Sequence, residues 1–137
     1  MDTFNPVYLS VQQLLLQLKN CNPEEGLSVE LLSALNCMFE TCLELALQIV
    51  DKKNVVCIQS TAGRTFYQVR GSSGVYNVLT SSLYCTCPSY VYTVLKKKTS
   101  LVCKHILAVF IAMAKNQAEI QLLSDDEFTQ LLLSDEE

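Results

Sequence analysis

Three different rhythms of apolar and polar positions run along the chain, and each predicts a different kind of element. Between Pro6 and Lys19, the side chains Val7, Tyr8, Leu9, Val11, Leu14, Leu15, Leu16 and Leu18 leave almost no polar face; Gln12, Gln13 and Gln17 are the main interruptions. Proline suits a first helical position, so a helix is expected to open at Asn5-Pro6. A helix this apolar needs cover on more than one side. A central core helix and a partner-binding helix both meet that need. Two starts compete for the next helix: Asn22, heading Pro23-Glu24-Glu25 with Glu25 placed for a capping box, and Ser28. Beyond them Leu31, Leu35, Met38, Cys42, Leu45 and Ile49 recur every three or four residues, which predicts a single helix running to Val50. Cys37 and Cys42 on it read as core thiols.

At Asn54 the period shortens. Val55-Val56-Cys57-Ile58, Thr65 to Arg70 and Val75 to Leu79 are β-branched and aromatic runs. The turns between them carry Gly63, Gly71 and Gly74, so they read as a three-stranded antiparallel meander, with the third strand extending toward Tyr84. Pro88 then opens a short helix with Val91, Val94 and Leu95 on one side and Lys96-Lys97-Lys98 at its C-terminal end. A further helix follows Cys103 and buries Ile106, Leu107, Phe110, Ile111 and Ala114. Ser124-Asp125-Asp126-Glu127 has capping-box spacing and starts a last helix through Leu131, Leu132 and Leu133. The expected class is α+β. It divides into an N-terminal helical region (1–51), a basic sheet with the segment after it (52–116), and a C-terminal helix with an acidic tail (117–137).

Composition narrows the picture. Half of the 137 residues are hydrophobic, with 4 Gly and 3 Pro, which argues against disorder. No apolar run approaches the roughly 20 residues of a membrane span. The N-terminus has no basic region ahead of an apolar stretch, so no secretory signal is expected. Seven cysteines without such a signal point to thiols in the core or on a metal, not to a disulfide framework. The net charge of −4 conceals a partition. Lys52, Lys53, Arg64, Arg70, Lys96, Lys97, Lys98, Lys104 and Lys115 lie in a stretch with no Asp or Glu, while all 14 acids and the one remaining base, Lys19, lie outside it. Such a middle either meets a polyanion or acidic partner, or is neutralised by acidic helices of the same fold.

Cys85-Thr86-Cys87 is followed after fifteen residues by Cys103-Lys104-His105, which holds the only histidine. On extended backbone, residues two apart share a face, so Cys85 and Cys87 can aim both sulfurs at one point. On a helix they would diverge, so Cys103 must precede the helix and His105 must sit in its first turn. Three thiolates and one imidazole make a closed tetrahedral zinc site, worth on the order of 10 kcal/mol of folding energy. The competing reading is four soft, buried side chains with no metal.

The spacing Cys85-x-Cys87-x15-Cys103-x-His105 resembles the SWIM zinc finger, a ββα unit. Other matching stretches are Gly63-Arg64-x-x-Tyr67-Gln68-Val69, Gly71-Ser72-Ser73, Tyr84-Cys85-x-Cys87-Pro88, Leu95-x-Lys97 and Cys103-Lys104-His105-x-Leu107-Ala108-Val109. Together they are similar to the small SWIM-domain subunits of Shu-type complexes. The resemblance is dense over residues 50–112. It implies a non-catalytic nuclear subunit with one structural zinc on Cys85, Cys87, Cys103 and His105, and a packing role for Ala108, a position kept small in the recombination-linked members. It also implies a heterodimer with a RecA-fold Rad51 paralog that promotes or protects Rad51 filaments on single-stranded DNA, with the zinc ligands needed for pairing. A SWIM-type DNA- or protein-binding adaptor outside recombination is the alternative.

The residues themselves argue against catalysis. A histidine committed to zinc cannot also be a general base, and no second histidine could orient it. A deaminase would need His-x-Glu and Pro-Cys-x-x-Cys, and neither occurs. No Gly-rich phosphate loop is present, so nucleotide hydrolysis is not expected of this chain, nor is a small-molecule substrate. Arg64, Arg70, Lys96, Lys97, Lys98 and Lys104 are candidate contacts to DNA phosphates. Tyr67, Tyr76, Tyr90 and Tyr92 either stack on bases or pack around the strands.

Overall fold

The computed structural model describes residues 6–22, 24–71, 74–92 and 102–133, with side chains from residue 11 onward. Three helices come first: α1 (Pro6–Lys19), α2 (Val29–Phe39) and α3 (Thr41–Asp51). Strands β1 (Val55–Ser60), β2 (Thr65–Gly71), β3 (Gly74–Leu79) and β4 (Tyr84–Cys85) follow, then α4 (Lys104–Lys115), β5 (Glu119–Leu123) and α5 (Asp125–Leu133). The class is α+β as expected, but the sheet is mixed and five-stranded, in the order β4-β3-β2-β1-β5, rather than a three-stranded antiparallel meander. The meander is present in β1, β2 and β3. Two strands are added to it. The chain turns after Leu79 and returns as β4, pairing Val78 with Cys85 and Leu79 with Tyr84. After α4 it crosses back as β5, parallel to β1 with Cys57 opposite Ile120 and Gln59 opposite Leu122.

The expected single helix to Val50 is two helices. Glu40 takes φ 47° and breaks the rod. A non-glycine residue there costs about 1–3 kcal/mol. The break lets each half follow a different neighbour, since α2 lies against α1 whereas α3 lies along α4. The buried stripe shifts with it: Leu31 and Leu35 are buried on α2, then Leu43, Ala46 and Val50 on α3, while Met38 and Leu45 are partly exposed. Ser28 is the start of α2; its Oγ accepts from the Leu31 amide at 3.0 Å. The Asn22 side chain instead closes a turn, accepting from the Glu24 amide at 3.0 Å.

The sheet has two covered faces. Val55, Val69, Val78 and Cys85 share one core with Val11, Leu15 and Leu18 of α1, Leu43 and Ala46 of α3, and most of α4. Among its described side chains, the first helix sends Val11, Leu15 and Leu18 into the core, with Leu16 facing out. On the opposite face Val56, Ile58 and Phe66 hold Phe128, and Leu131 and Leu132 pack at the edge of that cluster. The capping box forms as spaced: the Glu127 amide donates to Ser124 Oγ, and the Ser124 amide to Glu127 Oε1, both at 3.2 Å. At its far end α4 stops on Asn116 in the left-handed region, with the Gln117 amide closing onto the Ala112 carbonyl at 2.9 Å. No described helix is long and apolar enough to cross a membrane.

Candidate metal centre

Two elements meet to make the site. Strand β4 ends at Cys85, and the backbone from Cys85 to Cys87 stays non-helical before a helical turn starts at Pro88. Thr86, between the two cysteines, is clamped to β3 on both sides. Its Oγ1 accepts from the Asn77 amide at 3.0 Å and its own amide donates to the Asn77 carbonyl at 3.1 Å. Cys103 has extended backbone and caps α4, while His105 lies in the first turn. The arrangement is the one that the two-residue spacings require.

The four ligand atoms, one from each of Cys85, Cys87, Cys103 and His105, all lie within 4.8 Å of one another, and all four residues are buried. His105 turns Nδ1 inward, 3.8 Å from Cys85 Sγ and 4.0 Å from Cys103 Sγ. Zinc at about 2.3 Å from sulfur and about 2.0 Å from nitrogen sets tetrahedral ligands roughly 3.5–3.8 Å apart, so the cluster fits a zinc ion with little adjustment. Nδ1 is then the ligand, and the ring proton sits on Nε2.

Each sulfur also meets a backbone N–H. Tyr90 donates to Cys87 Sγ at 3.2 Å. The Cys87 amide donates to Cys85 and the Ile106 amide to Cys103. Such donors spread thiolate charge. Among themselves, however, three crowded thiols cannot all ionise. Hydrogen bonds from Cys103 and Cys85 hold Cys87 well below the ordinary thiol range. Hydrogen bonding with Cys103 and Cys87, reinforced by burial, pushes Cys85 far up. Cys103 is lowered by its bond with Cys85, but Cys87, burial and the Cys87 charge outweigh that and carry it to about 12. Only a cation lets all three carry charge together. The donor set therefore fits zinc and leaves no protein-free position on it. Tyr76 lines the ring of His105, and Ala108, one turn further along α4, is fully buried in the core beneath.

The remaining candidates separate. Arg64 donates to Thr129 Oγ1 at 3.1 Å and lies 4.6 Å over the Phe128 ring, so it fastens α5 to the sheet. Arg70 reaches Gln68 Oε1 and Gln121 Oε1, both at 2.9 Å through Nη2, and links β2 to β5. Lys104 is half-buried at the start of α4 and close enough to Cys42 to lower that thiol's pKa. Lys96, Lys97 and Lys98 lie outside the described residues. Of the candidate tyrosines, Tyr67 packs against the core, Tyr76 covers His105, and Tyr90 sits edge-on to Tyr84 at 5.4 Å, while Tyr92 is exposed. Thr86 and Tyr76, which hold the ligands in place, carry no sequence signal of that role; Thr86 is read only from its bonds to Asn77 of β3, and Tyr76 only from the way β3 lies against the start of α4.

A buried Cys3His cluster joining a strand end to a helix start defines a zinc-finger protein, and the SWIM zinc-finger model matches residues 67–114. The chain belongs to the SWIM zinc-finger family. It is 39% identical over 123 residues to "Zinc finger SWIM domain-containing protein 7" of Danio rerio, covering 88% of each chain. It is 41% identical over 107 residues to the Mus musculus protein of that name, covering 77% of this chain and 70% of that one. With the Dictyostelium discoideum homolog it shares 30% identity over 115 residues, 82% of this chain and 74% of the other. No solved structure matches.

Proposed function

We propose that the chain is a non-catalytic, zinc-ordered subunit of a Shu-type complex. It docks on a RecA-fold Rad51 paralog in the nucleus, and the pair promotes or stabilises Rad51 filaments on single-stranded DNA during homologous recombination and repair. The observation that carries this reading is the closed ligand set: four buried protein ligands serve architecture, whereas a catalytic zinc keeps a position for water or substrate. A rigid junction between β4 and α4 is what a docking surface requires. The resemblance to the small Shu-type subunits supplies the partner, and the partner supplies the nucleotide site.

Co-expression tests the reading. The wild-type chain co-purifies with a Rad51 paralog of the RecA fold and lengthens the lifetime of Rad51 filaments on single-stranded DNA; Cys103→Ser loses both. A wild-type chain that neither pairs with the paralog nor alters filament lifetime would contradict it.

A further inference from the structure

We propose that the cleft beside His105 binds a phosphate of single-stranded nucleic acid, with the metal-bound imidazole as one of its donors. The inference rests on the reading that this chain works on single-stranded DNA, and it names the atoms that make the contact.

The cleft has a volume of about 190 Å³ and lies between α3, the β2–β3 edge and the first turn of α4. Its polar side chains include Gln48, Lys52, Asn54, Lys104 and His105; Leu45, Ile49 and Val69 form apolar wall. His105 is only 7% exposed, and its Nδ1 is turned to the sulfurs. No described residue accepts a hydrogen bond from its Nε2. A metal-bound histidine ordinarily donates this second N–H to a carboxylate, a carbonyl or water. Neither carboxylate of α3, Glu44 or Asp51, is among the residues that line the cleft.

The lining offers two ammonium groups, two side-chain amides, an imidazole N–H and the Tyr76 side chain, and no carboxylate. Several donors around one small space suit an anion with several acceptor oxygens, and a phosphate presents more of them than a carboxylate does. The N-terminus of α4, a helix of 12 residues, adds its positive end at Lys104. The ligand set sums to −1 with zinc (three thiolates against +2), and Lys52 and Lys104 more than cancel it. The apolar wall reduces screening of the contact. On the reading above, in which the chain works on single-stranded DNA, the phosphate belongs to a nucleic-acid backbone.

The test uses the zinc-loaded full chain and a fluorescein-labelled oligothymidylate, with anisotropy read across a salt series. In Lys52→Gln/Lys104→Gln, affinity falls about tenfold and the slope of log affinity against log salt becomes shallower by about 1.4, two contacts at about 0.7 each. Gln48→Glu keeps every lysine and places a carboxylate in the cleft; it weakens binding by a similar factor with zinc content unchanged. Titrating inorganic phosphate shifts the His105 Nε2–H resonance. Wild-type affinity in Gln48→Glu would assign the binding to diffuse surface charge and overturn the cleft, as would an unmoved histidine resonance. A phosphoserine peptide that displaces the oligothymidylate at equal phosphate concentration would overturn the nucleic-acid assignment. None of these readouts involves the paralog, so loss of pairing and loss of phosphate binding are separable.

Discussion

The Tyr76 ring lies over the His105 imidazole, with centroids 4.7 Å apart and planes tilted by 32°. Tyr76 sits on β3, opposite Val69 of β2, so the sheet itself fixes the plane of the ligating ring. Replacing the ring should loosen the imidazole while leaving every ligand in place. Tyr76→Ala is expected to weaken zinc binding about tenfold or more, in the range typical of residues that orient metal ligands. Tyr76→Phe, which keeps the ring, stays near wild type. Competition with a chromophoric chelator measures both, and equal affinities would show that the ring contributes nothing.

Ala108 is fully buried in the middle of α4, one turn beyond His105. A larger side chain there would press on the core against the helix that carries His105 and is capped by Cys103. Ala108→Leu should cost about 1–3 kcal/mol through overpacking. Urea unfolding reads this as a lower midpoint at unchanged slope.

Helix α5 is held by a cluster on the face of the sheet away from the metal. Phe128 meets Phe66 edge-on at 5.0 Å, and Arg64 stacks on its outer side. Phe128→Ala should cost about 3–5 kcal/mol, and Ser124→Ala, which removes the cap, about 1 kcal/mol. Hydrogen exchange in α5 should rise in both variants while zinc content is retained. Loss of zinc in Phe128→Ala would show that the two faces are not independent.

Burial pushes the Cys42 thiol up from 9.0 to about 11, against a smaller pull from Lys104. Between those values the unfolded chain releases its proton and the folded chain keeps it. The folded state then binds more protons, so stability falls as pH rises from 9 to 11 and is intact below that window. Denaturation across this range should show a shallower fall in Cys42→Ala than in wild type. Parallel curves would remove Cys42 from the alkaline response.

Much of this architecture is legible from local signals. The metal ligands, the capping box at Ser124 and the meander each depend on residues close in sequence, where side-chain direction and turn chemistry decide the outcome. What escapes is non-local. Glu119 to Leu123 shows a period-two alternation of Ile120 and Leu122, but in five residues, with both side chains about two-thirds exposed, and only its parallel register on β1 makes it a strand. The break at Glu40 likewise follows from where α4 lies, not from Glu40 itself. Arg64 and Arg70 look like free cations in sequence; their partners, Thr129 and Gln121, are more than fifty residues away.

Zinc content with K-edge X-ray absorption on the purified chain tests the central claim most directly. One zinc per chain is expected, with three sulfurs at about 2.3 Å and one nitrogen at about 2.0 Å, and the bound metal should be lost or reduced to two sulfurs in Cys103→Ser. A wild-type chain without stoichiometric zinc, or a Cys103→Ser chain with an unchanged spectrum, would contradict the account.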